Sequence, residues 1–189
     1  MSHRILIVGN CASGKTTLAK YFSKHLHIPH IELDAIAHLP GWESRSRESF
    51  ASILDQQTQQ NSWTICGNYE SLVKDMLWRR ASDVIWLDDN FPRTLLRLTA
   101  RTWRRIQTKE ELWNGNRESW SRTFSRESIF LWLLKSYSKR RRRLLPRMDS
   151  GEFNGLTRHH IRTNTEYRSL LARFDLPQMD WAIYKRRRL

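Results

Sequence analysis

The first residues that could do chemistry form one loop near the amino terminus, Gly9-Asn10-Cys11-Ala12-Ser13-Gly14-Lys15-Thr16. Two glycines four residues apart, then Lys and Thr, are the pattern of a phosphate-binding loop. The glycines permit backbone angles that other residues rarely adopt, so successive amides can point inward around an anion. In such loops the lysine contacts the β- and γ-phosphates and the hydroxyl lies on Mg²⁺. The spacing therefore predicts binding of ATP or a similar triphosphate.

The segments that flank this loop have the composition that the motif requires. Residues 4–8 are an apolar run typical of a buried parallel strand, and residues 17–25 place four apolar side chains on one helical face. A helix that starts at the loop adds its free N-terminal amides to the anion site. The predicted nucleotide ligands are Gly9, Asn10, Cys11, Ala12, Ser13, Gly14, Lys15, Thr16 and Thr17.

Strand and helix patterns alternate along the rest of the chain. Four further strands are expected at 30–34, 63–69, 83–88 and 156–162, with helices at 44–60, 70–81, 92–106, 125–143 and 164–174. Residues 35–41 and 146–155 are expected to be loops, and 109–123 a mobile insertion because it lacks clean periodicity. This alternation predicts a three-layer α/β domain with a parallel sheet, whose ligands bind at the carboxyl ends of the strands.

The charge of the chain is concentrated in its middle. The 189 residues carry a formal net charge of +14, and residues 91–143 hold 15 Lys or Arg against 4 Asp or Glu. Residues 1–90 are nearly balanced, with 9 basic and 10 acidic side chains. A positive field of this kind attracts nucleotides or nucleic acid.

Composition also indicates the domain organisation and the compartment. We expect one domain over residues 1–175 and a basic tail over 176–189. The chain has no run of 18 apolar residues and no signal peptide, so neither a membrane span nor secretion is expected. Cys11 and Cys66 make no disulfide framework, and a reducing cytoplasm is the simplest location.

Asp34 is the acidic residue expected nearest to the phosphate loop. Because it ends the second predicted strand, it should face the ligand edge of the sheet. There it could orient Mg²⁺-bound water or accept the proton of an acceptor hydroxyl. The alternative is that Asp34 caps the turn that follows.

Arginines of the basic segment are the candidates to neutralise a transferred phosphoryl group. Arg supplies planar, bidentate donors to phosphate oxygens. A row of arginines on one helix is equally typical of a solvated face, so for any single residue the structural reading remains open. Arg101 and Arg117 are the chosen catalytic candidates, from a set that also includes Arg97, Arg104, Arg105 and Arg122.

With these residues in hand, the chain resembles the small P-loop kinases related to adenylate kinase, and more narrowly the bacterial DNA topology modulation protein group. The resemblance spans about residues 4–174. It implies a five-stranded parallel sheet of nucleoside-monophosphate-kinase type, an Arg-rich lid at about 104–124, ATP and Mg²⁺, and leaves the acceptor unnamed. Besides the phosphate loop and residues 83–87, it rests on Leu33-Asp34-Ala35, Pro40-Gly41-Trp42, Gly67-Asn68-Tyr69 and Trp113-Asn114-Gly115-Asn116-Arg117-Glu118.

Two sites depend on this resemblance. In adenylate-kinase-like folds the turn after the fifth strand touches adenine, so Arg162 is a candidate nucleotide contact, with a helix cap as the alternative. Adenylate kinases also have an Asp-Gly pair beside the phosphate loop, where this chain has Cys66-Gly67. Because Mg²⁺ prefers oxygen ligands, Thr16 and Asp34 are the predicted metal residues.

The favoured function is an ATP-dependent phosphotransferase acting on a small molecule, possibly a nucleotide or a hydroxyl metabolite. The alternative is a nucleic-acid-associated ATPase or nucleic-acid-end kinase, which the basic segment favours. A third reading is a nucleotide-binding partner protein without turnover, because Cys66 stands where an acid was expected.

Overall fold

Five short strands form one parallel sheet at the centre of the computed structural model, which describes residues 2–69, 75–126 and 128–179. The sheet order is β2-β3-β1-β4-β5, and every neighbouring pair is parallel. This confirms the predicted five-stranded parallel sheet. The strands are β1 (Arg4–Gly9), β2 (His30–Glu32), β3 (Trp63–Cys66), β4 (Asp83–Leu87) and β5 (Thr157–Ile161).

Helices cover both faces of the sheet. Within β1, Ile5 and Ile7 pack in one core cluster while Leu6 and Val8 pack in the other, as the two-residue period of a strand requires. Both faces of the sheet are therefore buried under helices, and the chain folds as three layers. The helices are α1 (Lys15–Leu26), α2 (Leu33–Ala37), α3 (Arg47–Gln57), α4 (Met76–Arg80), α5 (Phe91–Gln107), α6 (Trp120–Thr123), α7 (Ile129–Asp149) and α8 (Asn164–Arg173).

Two boundaries differ from the sequence expectation. Strand β2 ends at Glu32, and the expected loop at 35–41 begins as helix α2, so Asp34 lies in a first helical turn and not at a strand end. Helix α7 continues through Pro146 to Asp149, where a loop was expected. There Leu144 is fully buried and Met148 packs against the core, and this burial outweighs the lost hydrogen bond at proline.

The insertion at 109–123 has defined local structure instead of an irregular path. Glu111 and Arg117 form an isolated antiparallel bridge around a 3₁₀ turn, Trp113–Gly115, and α6 follows. The expected helix at 70–81 is described only from Met76, and residues 70–74 and 180–189 lie outside the described ranges. No helix within those ranges is long and apolar enough to cross a membrane.

Candidate active site

The phosphate loop connects the centre of the sheet to α1. Gly9 has φ 146°, and a Cβ built there would lie 2.5 Å from the Leu87 carbonyl oxygen, so only glycine fits this approach. Gly14, at φ 98°, precedes the first turn of α1. The Lys15 ammonium donates to the carbonyl oxygen of Asn10 at 2.8 Å, across the mouth of the loop. The loop thus has the backbone and the lysine that an anion nest needs.

Asn68 braces the start of the loop. Its amide nitrogen donates to the Gly9 carbonyl at 2.6 Å, and its side-chain oxygen accepts from the Gly9 N–H at 3.2 Å. This paired contact comes from the Gly67-Asn68-Tyr69 segment, where Gly67 is required because a Cβ would lie 2.6 Å from Leu33. The resemblance marked this segment, but the sequence did not show that Asn68 holds the loop.

Two arginines from distant helices hold the other carbonyls of the loop. Arg97 of α5 donates through Nε to the Ala12 carbonyl at 2.9 Å and pairs through Nη2 with Asp89 at 2.7 Å. Arg140 of α7 donates to the Asn10 side-chain oxygen at 3.1 Å. Sequence reasoning placed Arg97 among lid candidates and did not select Arg140, because the only local signal was a run of basic residues.

The acidic side chain that contacts Thr16 is Glu32, and metal binding by Thr16 and Asp34 stays a prediction. The Thr16 hydroxyl donates to Glu32 Oε1 at 2.9 Å, so Glu32 stands beside the predicted Mg²⁺ ligand, at the end of β2. Cys66 Sγ lies 3.6 Å from Thr16 Oγ1 and 3.2 Å from His30 Nε2. Burial, followed by Glu32, raises the pKa of Cys66 to about 12, so the thiol stays protonated and is a poor Mg²⁺ ligand.

Asp34 is held by a tyrosine. The Tyr69 hydroxyl donates to Asp34 Oδ1 at 2.8 Å and lies 3.3 Å from His38 Nε2. Burial and the neighbouring Asp34 charge raise the pKa of Tyr69, which keeps it a donor. Tyr69 also packs on Phe50 with ring centroids 5.3 Å apart. Because the core holds the tyrosine ring in place, its hydroxyl holds the Asp34 carboxylate in place.

Arg101 is half-buried, and its side chain has no partner among the described residues. Its Nε is buried and unpaired, and the described residues give the side chain neither a hydrogen bond nor an ion pair. Burial and then Arg105 lower the pKa of Arg101, while Cys11 and Asp34 act on it in the opposite direction. Arg101 is thus within electrostatic range of both the phosphate loop and Asp34.

The remaining predicted residues lie apart from this group. Arg117 is exposed and pairs loosely with Glu111 at 3.5 Å. Arg162 is exposed, and its backbone N–H donates to Glu166, which forms a capping box with Thr163 at the start of α8. The structure therefore gives Arg162 a cap role, and its contact with adenine stays a prediction.

The electrostatics of the phosphate loop favour an incoming anion. Burial, followed by repulsion from Arg140, lowers the pKa of Lys15 from 10.5 to about 8. Burial likewise raises the pKa of the Cys11 thiol, which is therefore not a thiolate at neutral pH. A desolvated lysine next to a second cation is strengthened as a phosphate ligand, because the phosphate charge relieves the repulsion.

Comparison with solved structures shows which known proteins have a similar fold. The chain is similar to a gluconokinase from Sinorhizobium meliloti 1021, with a TM-score of 0.50, 16% sequence identity, and 97% of each chain covered. A shikimate kinase from Aquifex aeolicus vf5 also matches, with a TM-score of 0.40 and 18% identity over 72% of this chain and 98% of that chain. No protein-family model matches the sequence, and no curated protein does either. The fold is that of a P-loop kinase of the adenylate-kinase-like type.

Proposed function

We propose that this protein is an ATP-dependent phosphotransferase that transfers the γ-phosphoryl group of ATP to a hydroxyl of a small metabolite. The observation that carries the proposal is Arg101, a half-buried arginine whose buried Nε has no partner among the described residues, within electrostatic range of both the loop and Asp34. A cation at that position neutralises charge that develops on the transferred phosphoryl oxygens. The likeness to small-molecule kinases in fold is consistent with this reaction.

Each residue of the site has a definite part in this chemistry. Lys15 and the loop amides bind the β- and γ-phosphates. Asp34, oriented by Tyr69, accepts the proton of the acceptor hydroxyl as that oxygen attacks the γ-phosphorus and the bond to the β-phosphate oxygen breaks. Arg101 binds the γ-phosphoryl oxygens during the transfer.

The residues present fit Mg²⁺ in combination with ATP. Thr16 and Glu32 supply the hydroxyl and carboxylate oxygens that Mg²⁺ prefers, and Asp34 can contribute through water. Among the described residues no cluster of three or more His, Cys, Asp or Glu side chains could bind a metal. Phosphate oxygens and water would supply the other ligands, and the ion would neutralise charge on the phosphates.

Binding of ATP is the first test. Calorimetry should show saturable binding of Mg²⁺–ATP, which Lys15→Ala abolishes, while Lys20→Ala on the exposed face of the same helix binds normally. Undiminished binding to Lys15→Ala would remove the basis of the phosphate-loop assignment.

Phosphoryl transfer is the second test. A panel of sugar acids, polyols, nucleosides and nucleoside monophosphates should contain an acceptor that is phosphorylated from labelled ATP. With that acceptor, Arg101→Ala should lower kcat by about 10³-fold or more and leave ATP binding intact, and Arg93→Ala on the exposed face of α5 should be unaffected. If no acceptor reacts and DNA or RNA binding with a steep salt dependence appears, the nucleic-acid alternative replaces this proposal.

Three finer points belong to the same proposal. The motif set supports membership of the DNA topology modulation group, residues 104–124 serve as an Arg-bearing lid, and the two free cysteines favour a cytoplasmic location. The basic segment itself favours the kinase, because Arg97 and Arg140 hold the phosphate loop and Arg104 and Arg105 form ion pairs with glutamates.

A further inference from the structure

Two turns that are distant in sequence form one interface in the structure. Residues 38–44 and residues 111–117 each close with an isolated antiparallel bridge, and each contains a 3₁₀ turn. These are the Pro40-Gly41-Trp42 and Trp113-to-Glu118 segments on which the resemblance rested. We call their contact the asparagine clasp, after Asn114 and Asn116, which make most of its polar contacts.

Asn116 uses its whole amide in the clasp. Its Oδ1 accepts from the Trp42 N–H at 2.7 Å, and its Nδ2 donates to the carbonyls of Leu39 at 2.9 Å and Trp113 at 2.8 Å. The side chain is buried, with only 4% of the residue exposed. A buried amide with every contact made fixes the relative position of the two turns, because shifting it would leave polar atoms unpaired.

Asn114 ties the insertion to the helix that carries Asp34. Its Nδ2 donates to the carbonyl of Ala35 at 3.1 Å and also to that of His38. These carbonyls belong to the last turn and the C-cap of α2, where a helix has no internal partners for its oxygens. Asn114 therefore caps the carboxyl end of α2, although it lies about eighty positions later in the chain.

Rings and a strained backbone complete the clasp. Trp113 stacks on His38 with centroids 6.0 Å apart, and the Trp42 indole N–H donates to the Arg117 carbonyl at 3.2 Å. Trp42 has φ 64°, a left-handed conformation that is unusual for a bulky residue. Such a conformation persists only where its surroundings determine it, and the Asn116 contact to the Trp42 N–H is part of those surroundings.

We propose that Asn114 and Asn116 are positioning residues that make α2, with Asp34, move as one body with the 111–117 turn. The placement of the acceptor-side carboxylate then depends on the insertion, so any ligand that orders the insertion also orders Asp34. In the proposed kinase, nucleotide binding would order the insertion first. Through the clasp it would then place Asp34 for the acceptor. In this last respect the inference rests on the proposed function, but the contacts themselves do not.

Amide hydrogen exchange without any ligand tests the clasp by itself. Asn116→Ala should accelerate exchange over residues 38–44 by about tenfold to a hundredfold, since it loses two hydrogen bonds to that turn and each is worth up to about a factor of ten. Asn114→Ala, at an exposed position that tolerates substitution, should accelerate exchange over residues 35–39. Asn154→Ala, an exposed asparagine outside the clasp, is the matched control and should leave both ranges unchanged. Exchange like that of the unmodified protein in both clasp variants overturns the proposal.

The non-hydrolysable analogue AMP-PNP with Mg²⁺ tests the coupling. In the unmodified protein it should slow exchange over both 35–44 and 111–117, and in Asn114→Ala only over 111–117. Protection of 111–117 with unchanged exchange over 35–44 in the unmodified protein overturns the coupling. Failure to bind the analogue at all counts against the proposed function, while the ligand-free comparison still decides the clasp.

Discussion

Lys15 shows how a single side chain is kept ready for its ligand. It is half-buried beside Arg140, and its only protein acceptor among the described residues is the Asn10 carbonyl. The protein therefore holds a positive charge with little solvation and no carboxylate partner, which costs folding stability. A bound triphosphate would supply the negative charge that Lys15 lacks. Lys15 therefore lowers the stability of the ligand-free fold and raises its affinity for the anion.

Replacing Lys15 by Met should stabilise the ligand-free protein. Because the folded protein lowers the pKa of Lys15 to about 8, its charged form is disfavoured by folding at every pH below 8, and the penalty fades as the pH rises towards 10.5. Lys15→Met should raise Tm at pH 7 by about 2–4 °C, for a gain of about 1 kcal/mol. Thermal denaturation between pH 6.5 and 10 measures this difference, which should shrink at high pH.

The matched control for this prediction is Lys20→Met on the exposed face of α1, whose Tm difference should not depend on pH. A lower Tm for Lys15→Met than for the unmodified protein at pH 7 would mean that Lys15 supports the fold and is not held under strain.

At the scale of elements, α5 connects the loop, the carboxyl edge of β4 and the insertion. Arg97 on its inner face reaches the Ala12 carbonyl and pairs with Asp89, just after β4. Arg101 lies one turn later on the same helix, and Arg105 pairs with Glu118 of the insertion at 2.9 Å. This helix therefore links the phosphate loop to the insertion through residues spaced four apart.

Arg97→Met should destabilise the protein and disorder the phosphate loop. The Arg97–Asp89 pair is largely buried, with side-chain exposures of 16% and 8%, so removing Arg97 takes a close positive charge away from a buried carboxylate. The expected loss is about 3 kcal/mol of unfolding free energy, measured by urea denaturation. Arg93→Met, one turn earlier and exposed, should change it by less than about 0.5 kcal/mol. Equal effects of the two substitutions would contradict this account of α5.

At the scale of the whole molecule, several basic side chains converge on the phosphate loop at the carboxyl edge of the sheet. The net charge is +14, and Arg140 and Arg105 lower the pKa of Lys15 and of Arg101 respectively, after burial itself. Like charges that converge in this way repel one another in the folded state. Multivalent anions bound at that edge should therefore stabilise the fold beyond general screening.

Pyrophosphate should raise Tm more than sodium chloride at equal ionic strength, because it binds the folded loop while chloride mainly screens charge. Differential scanning fluorimetry at matched ionic strength measures the difference. The extra shift should disappear in Lys15→Met and persist in Lys20→Met. An extra shift that survives in Lys15→Met would place the anion elsewhere on the basic surface.

The sequence by itself determined the loop, the strands and the three-layer fold. The phosphate-loop motif lies in consecutive residues, Gly9 to Thr16. Buried strands are recognised from local runs of apolar residues. Arg101 could be selected as a candidate from its type and helical position, and its phosphate contact stays a prediction. Boundaries were less certain: β2 was expected to include Asp34, but the chain turns into α2 two residues earlier.

Only the tertiary structure decided which side chains serve the loop. Asn68, Arg97 and Arg140 contact it across 59, 85 and 130 positions, and Glu32 is the acid that accepts from the Thr16 hydroxyl. The clasp between residues 38–44 and 111–117 is of the same kind. No local pattern encodes such contacts, because they depend on the sheet order and on how each helix is rotated against the sheet. Periodicity in the sequence shows which helical face is polar, and packing alone determines what that face meets.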